Sequence, residues 1–401
     1  MKNVSAVIGS NYGDEGKGLL TDFLAFADSA LVVRFNGGAQ AGHTVVTPGG
    51  CRHVFHHLGS GTLGGSPTFL SKYFIANPMI LASELIELRA KGFDRPLIFI
   101  DPECRVSTPF DALLNQAAEV ARGTERHGSC GLGVWETVIR SENGFDLRVK
   151  DLIDEERLRI ALNDIRHRWV PERREALGIK EAIPLLGDPG LLEHYIADVQ
   201  VMLRSTVREE WGPWLAKKWD RLVFEGAQGL RLDQDNSMEL PYVSASKTGI
   251  RNVALLMKEA EIKEELNVYY TTRPYLTRHG AGPLRNQIMF PSFKDDTNVT
   301  NPWQGDLRFA WHDIEDLAYY IVQDRTQELG IAVKPHLAVT CLDQVKDQEI
   351  VWFEHTDLKK GAPGDFISRL SRLTGIPMLE GLYCGGPTRL EVDYHRCLPR
   401  R

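Results

Sequence analysis

The chain is 401 residues long, with 47 Lys+Arg against 54 Asp+Glu, a formal charge of −7, 43% apolar and 25% charged residues. This is the composition of a globular protein with enough material for a large core and a cleft. The mild acidity argues against nucleic acid as a partner. No apolar run reaches the length of a membrane span, and the start, Met1 to Gly18, turns charged and glycine-rich too early for a signal peptide, so the expected location is cytoplasmic. The six cysteines are scattered without a CxxC pair and read as reduced thiols.

In chain order, Val4–Gly9 is a short apolar run ended by glycine, and a helix-like spacing follows it. Ala30–Phe35 reads as the next strand, Ile80–Lys91 as a helix, Pro96–Ile100 as a strand and Pro109–Arg122 as an amphipathic helix with Leu113, Leu114 and Ala117 on one face. Residues 151–177 and 190–218 are charged, helical stretches. Arg221–Glu225, Leu266–Tyr270 and His336–Thr340 are further strands, and Ile314–Leu329 is a long helix. Such alternation predicts an α/β fold with a central, mainly parallel sheet flanked by helices, with smaller subdomains appended. No linker or repeat divides the chain, so it reads as one domain over 1–401 with a helical insertion near 151–218.

The chemistry begins at Gly9-Ser-Asn-Tyr-Gly-Asp-Glu-Gly-Lys-Gly18. A glycine-rich turn between a strand and a helix offers backbone N–H groups to anionic oxygens, and Lys17 adds a mobile charge. A Walker A loop would need glycine at Asn11 and Ser or Thr at Gly18, so an ordinary P-loop is excluded. Asp14 stands among phosphate donors, where it would repel phosphate unless Mg²⁺ or a substrate proton lay between them. The next block, Arg34-Phe-Asn-Gly-Gly-Ala-Gln-Ala-Gly-His-Thr44, has glycines that permit close backbone approach and a His43 able to donate to a phosphoryl oxygen. Phe224 to Asp235 places Gln228 just after a strand. Pro241 to Ser246 and Thr277 to Pro283 add hydroxyls, Arg278 and more glycine turns.

In this order the blocks closely resemble those of adenylosuccinate synthetases: GDEGKGK after the first strand, GGxNAGHT, FEGAQGxxLD with a PYVTSS segment, and STRVGxGP. Phe55 to Gly61 is similar to the family's HLIPSG, and Ala121 to Gly131 to its ARG…GTTG. The resemblance extends over roughly residues 1–390. It implies a ligase that moves the γ-phosphoryl of GTP to O6 of a 6-oxopurine nucleotide and then lets the aspartate amine displace phosphate, with Mg²⁺ as cofactor. Asp14 corresponds to the base that removes the N1 proton, His43 to the stabiliser of the migrating phosphoryl group, and Lys17 to a third catalytic group. The triphosphate would lie on Gly13, Glu15, Gly16, Gly18, Gly42, Thr44, Asp343 and Gly386, and the metal on Asp14 and the Gly42 carbonyl. The purine nucleotide would lie on Gln40, Ser129, Cys130, Gln228 and Ser244. Arg140 stands where the family sends an arginine across a twofold interface, which implies a homodimer. Small molecules are the implied partners, with no nucleic acid and no membrane.

The departures are equally specific. Gln40 replaces the asparagine of GGxNAGHT, and Leu19 the lysine that ends the phosphate loop. The family's donor loop, TTGRRRRTGWLD, reads Asn301-Pro-Trp-Gln-Gly-Asp-Leu-Arg-Phe-Ala-Trp-His-Asp313 here, and Arg308 alone survives among its arginines. Because arginine grips carboxylates bidentately, either the donor is held differently, with Thr300, Asn301, Gln304 and Arg308 as the nearest candidates, or the donor itself differs. The base-reading TKLD is Thr340-Cys-Leu-Asp343 and the STGP segment is Cys384-Gly-Gly-Pro387, so GTP is expected with ATP as the alternative. Two readings stay open beside adenylosuccinate synthesis from IMP. One is a paralogue that takes (d)GMP with ATP or GTP toward 2-aminoadenylosuccinate for modified DNA. The other, of a different class, is a non-catalytic nucleotide-binding protein or GTPase switch.

Overall fold

The computed structural model describes residues 2–393 apart from 27, 28, 290–292, 294, 296, 297, 299, 301 and 346–348. A ten-stranded sheet forms the centre. Its spatial order runs Val392–Asp393, Leu382–Cys384, Val333–Val339, Leu266–Thr272, Asn3–Gly9 (β1), Arg221–Gly229, Ala30–Arg34 (β2), Thr68–Leu70, Ile98–Ile100, Val207–Arg208. Every neighbouring pair is parallel except Leu382–Cys384 with Val392–Asp393. The expected mainly parallel α/β sheet is present. β1 lies inside it and is buried from Val4 to Gly9, as a strand covered by helices on both faces must be.

One core packs beneath the sheet around Phe35, Phe69, Trp211, Phe224 and the helices Arg251–Glu259, Ile314–Arg325 and Pro363–Thr374. A second gathers the elements between residues 45 and 203, including the helices Pro78–Ala90, Pro109–Arg122, Glu155–Asp164 and Gly190–Ser205. The helix Pro109–Arg122 shows how locally its ends are encoded. Thr108 caps it, Pro109 opens it with a φ already suited to the first turn, and Asp111 closes a capping box back onto Thr108.

The observed elements extend or trim those expected. The strand Arg221–Gly229 continues four residues past Glu225, and Leu266–Thr272 two past Tyr270, because strand pairing carries both into the cleft. The stretch 190–218 is helical over Gly190–Ser205 and again only in the single turn Pro213–Ala216. Between them Val207–Arg208 forms the sheet's outer strand, too short and exposed to show a pattern in the sequence. The hairpins His43–Val46 (β3) with Arg52–Phe55 (β4), and Leu276–His279 with Leu307–Ala310, were not anticipated. No helix among the described residues is long and apolar enough to cross a membrane, and none of the described cysteines is in a disulfide.

Candidate active site

The loops at the carboxyl ends of β1, β2 and the strand Arg221–Gly229 meet, as expected for an open parallel sheet. The loop after β1 is fixed at several points. Ser10 N–H donates to the Thr271 carbonyl at 2.9 Å, Arg231 N–H to the Asn11 carbonyl at 3.0 Å, Thr277 Oγ1 to the Gly13 carbonyl at 3.2 Å and Thr340 Oγ1 to the Glu15 carbonyl at 2.9 Å. Gly13, Asp14 and Gly16 all have positive φ. For Asp14, at 62°, this is a sparsely populated conformation that the pinned loop imposes, and it accords with a functional position. The helix Lys17–Ala25 (α1) follows.

Glu15 is the internal anion of this cradle. Its buried carboxylate accepts the N–H groups of Asn11 (3.0 Å) and Gly13 (2.9 Å) and meets the Lys17 ammonium at 2.6 Å. A Cβ on Gly9 would lie 2.4 Å from Glu15 Oε2 and 2.8 Å from Lys17 Nζ, so only glycine lets this ion pair form against β1. The Glu15 side chain therefore binds Lys17, and its expected part in triphosphate binding is left to its backbone.

The second loop is tied to the third. Asn36 takes the Ala227 N–H at 2.7 Å and donates to the Ala227 and Lys247 carbonyls, while Gly37 N–H donates to Ser246 Oγ at 2.9 Å. Gln228 also has positive φ, and Ser244 Oγ reaches its Oε1 at 3.5 Å. A Cβ on Gly37 would come within 3.1 Å of Gln228 Oε1 and 3.6 Å of Gln40 Nε2, so these two amides share one corner. Both polar atoms of the Gln40 side chain are buried without a protein partner, as befits a group with a ligand to bind.

His43 opens β3 and is oriented by a residue not singled out in the sequence. Its Nδ1 lies 2.6 Å from Oε1 of Glu225, which is fully buried and also accepts the Ser60 amide (3.0 Å) and hydroxyl. Burial pushes the imidazole pKa down, against the pull of Glu225. Burial would raise that of Glu225, but His43, the buried Arg34 and Ser60 outweigh it and hold the carboxyl ionised. With Glu225 an anion, Nδ1 carries the proton and the ring is fixed, while Nε2 is buried without a protein partner. Gly18 packs directly against this segment: its Cβ would lie 2.8 Å from the Thr44 carbonyl.

Gly128 to Gly133 hangs from the helix Pro109–Arg122. Asn115 Nδ2 donates to Ser129 Oγ at 2.7 Å and its Oδ1 accepts Gly133 N–H, Gln116 Nε2 reaches the Gly131 carbonyl, and Glu119 takes Gly128 N–H. Cys130 lies in this loop, half-buried, its thiol pKa pushed up by burial. The donor loop closes on the same segment. A Cβ on Gly131 would strike Trp303 at 2.6 Å, and one on Gly280 the Gln304 carbonyl at 2.6 Å. Thr300 Oγ1 donates to Asp306, and Asn301 is outside the described residues. Arg308 Nη2 donates to the Gly282 carbonyl at 2.9 Å, and burial followed by Arg278, directly opposite in the hairpin, lowers its pKa. Asp343 is exposed on the turn Leu342–Val345. The preceding Thr340 abuts Gly16, whose Cβ would approach its side chain to 2.9 Å, and Gly386 lies against Glu391.

Arg140 needs correction. Its side chain is fully buried in its own subunit, with Nε on Asp111 Oδ1 (2.8 Å), Nη2 on Asp111 Oδ2 and the Val106 carbonyl, and Nη1 on the Phe145 carbonyl. With four of its five N–H donors bound inside its own subunit and the whole side chain buried, this guanidinium is structural and does not reach across an interface. Asp111 closes the capping box on Thr108 and also neutralises Arg140, a pairing across the fold that no local pattern in the sequence marks.

For Mg²⁺ the donor chemistry fits. Asp14 offers a hard carboxylate oxygen, is about one-fifth exposed, and has His279 Nε2 at 3.4 Å and the Arg273 guanidinium as a further charged neighbour. An ion of this kind takes one or two carboxylates and completes its shell with phosphate oxygens and water, so no larger protein cage is needed.

The family model described as adenylosuccinate synthetase matches residues 6–332. The adenylosuccinate synthetase of Microcystis aeruginosa is 31% identical over 293 residues, 72% of this chain but only 63% of that protein's length. For the enzyme of Photobacterium profundum the identity is 31% over 98% of both chains. Among solved structures, a fully ligated adenylosuccinate synthetase from Plasmodium falciparum superposes with a TM-score of 0.71 at 19% identity, covering 97% of this chain and 99% of that one. A cyanophage S-2L succinoaminodeoxyadenylate synthetase bound to dGMP and dATP superposes with a TM-score of 0.59 at 15% identity, covering 98% and 95%. The structural likenesses bear on the fold alone, whereas the sequence matches carry the further step: the chain belongs to the adenylosuccinate synthetase family.

Proposed function

We propose that the protein is a ligase that joins L-aspartate to C6 of a 6-oxopurine nucleotide at the expense of a nucleoside triphosphate, with IMP and GTP as substrates. The observation that carries this reading is the convergence of Asp14, the His43–Glu225 pair and Gln228 at the ends of neighbouring parallel strands. Phosphoryl transfer calls for placement and preorganised charge more than for a strong nucleophile, which is what these groups offer. Asp14 takes the N1 proton as O6 attacks the γ-phosphorus, whose bond to the β–γ bridging oxygen breaks so that the nucleoside diphosphate leaves. His43, held by Glu225, takes up a second proton beside the phosphoryl anion and donates from Nε2 to its oxygens, the Glu225 carboxylate balancing the imidazolium, and Lys17 with the loop amides holds the phosphates. The aspartate amine then attacks C6, and phosphate leaves with O6. Mg²⁺ held by Asp14 and the Gly42 carbonyl would neutralise charge on the phosphates. A cytoplasmic homodimer completes the reading, its shared contacts supplied by residues other than Arg140.

The lost donor-loop arginines and the Thr340 to Asp343 segment support a second reading, a paralogue that aminates (d)GMP with ATP or GTP. One experiment tests both: IMP, dIMP, GMP and dGMP crossed with GTP, ATP and dATP in Mg²⁺, with and without aspartate, followed by phosphate release and product mass. Aspartate- and acceptor-dependent phosphate release with a succinylated purine of the IMP series is expected. The 2-amino succinylated product, formed from (d)GMP and not from IMP, would select the paralogue. Triphosphate hydrolysis without acceptor would select a switch, and no turnover with any pair a non-catalytic binder.

A further inference from the structure

The strand Leu276–His279 touches the catalytic loop twice. Thr277 Oγ1 donates to the Gly13 carbonyl, and two residues on, on the same face of the strand, His279 Nε2 stands 3.4 Å from Asp14 Oδ2. His279 is set in place by pairing opposite Leu307, and its Nδ1 is buried without a protein partner. Asp14 has left-handed backbone in the loop between β1 and α1, and its side chain is about one-fifth exposed. Arg273 also acts on this carboxylate, through space, whereas His279 approaches it to 3.4 Å. The family block STRVGxGP has valine where this chain has His279, and a valine could pack there but not bond a carboxylate.

We infer that His279 is a positioning residue for Asp14: its ring holds Oδ2 from one side, leaving Oδ1 aimed at the purine. The inference rests on reading Asp14 as the base. A base must be aimed to within a fraction of an ångström, so loss of the restraint acts on the chemical step and leaves substrate binding alone.

The test compares His279→Val and His279→Gln with wild type and Asp14→Asn in kcat, in KM for each substrate and in melting temperature. For His279→Val we expect kcat to fall roughly tenfold or more with KM values within about twofold, since the misplaced group matters in the transition state. Melting should be unchanged. Glutamine, whose amide nitrogen reaches a similar place, should restore most of the loss. A wild-type kcat in His279→Val overturns the inference, as does a loss that glutamine does not restore or that comes with raised KM or lower melting. If Asp14→Asn itself turns over normally, the role of Asp14 fails and takes this one with it. If Asp14→Asn is dead while His279→Val is fully active, only the positioning role is lost.

Discussion

Around Asp14 and His43 the site is made of strand ends: loops pinned by buried hydrogen bonds, an ion pair beneath glycine, and a histidine aimed by a buried glutamate. Around Arg308 it is made of a hairpin and turns, whose arginine is half-exposed and whose main anchors are backbone carbonyls. The first half can hold charge to a fixed geometry, as the proposed phosphoryl transfer requires, because its supports are themselves locked. The second can change its residues without disturbing the sheet, so a difference in donor or triphosphate would be accommodated there. The family resemblance is accordingly close in the first half and thin in the second.

The largest effect should come from the rigid half. Asp14→Asn and His43→Ala are each expected to lower turnover by about a thousandfold or more, near 4 kcal/mol of transition-state stabilisation, with melting close to wild type. Single-turnover phosphate release measures it, and near-normal rates in either variant would break the division of roles. Next in size is Arg140→Leu. Removing the buried partner of Asp111 should cost about 3–5 kcal/mol of stability, read as a lowered denaturant midpoint. Mixtures with Asp14→Asn that exchange subunits should show no recovery of turnover. Recovery would return Arg140 to a shared site.

Much of this half was legible in the sequence because glycine and charge patterns there have local causes. Gly9, Gly13, Gly16 and Gly37 are required by close approach or positive φ, and Pro109 with Thr108 marks a helix start. What the sequence does not reveal is pairing across long separations. Glu225 is 182 residues from His43, and His279 meets Asp14 only because the hairpin folds over the first loop. Arg140 stands at a motif position the family uses at an interface yet turns inward onto Asp111 and the Val106 carbonyl, since a motif position does not tell which way a long side chain turns. Asn115, Gln116 and Glu119 look like the polar side of an amphipathic helix, and only the fold makes them the rack for Gly128 to Gly133.

For the adaptable half, Arg308→Ala should weaken aspartate use by at least about a hundredfold, roughly 2.7 kcal/mol, while triphosphate affinity changes much less. The reason is economy of charge: of the arginines in the family's loop this is the one retained, and a carboxylate entering a partly desolvated site must be paired. Saturation curves in aspartate and in triphosphate separate the two effects. An aspartate curve that overlays wild type would place the donor on other groups or show that the donor is another amine.

The smallest effect expected concerns the frame that carries both halves. Asp324, buried on the helix Ile314–Arg325, accepts the Ile250 N–H at the start of the helix Arg251–Glu259 and the Tyr270 hydroxyl at 2.9 Å on the central strand that leads to Thr272. Burial raises its pKa from 3.8 to about 7, against the hydrogen bonds from Tyr270 and Ile250. Between those pH values the folded chain keeps a proton that the unfolded chain has released. Folding stability from this group is therefore full at low pH, falls as pH rises through that window, and levels off above about pH 7. Asp324→Asn removes the titration but also weakens one acceptor, so the net change should be about 1 kcal/mol, or a few degrees in melting temperature. The variant should melt below or level with wild type near pH 5 and above it at pH 8, with turnover unaffected at either. Parallel melting curves across that range would mean that the carboxyl stays ionised in the core, and that the frame beneath the rigid half is held by charge.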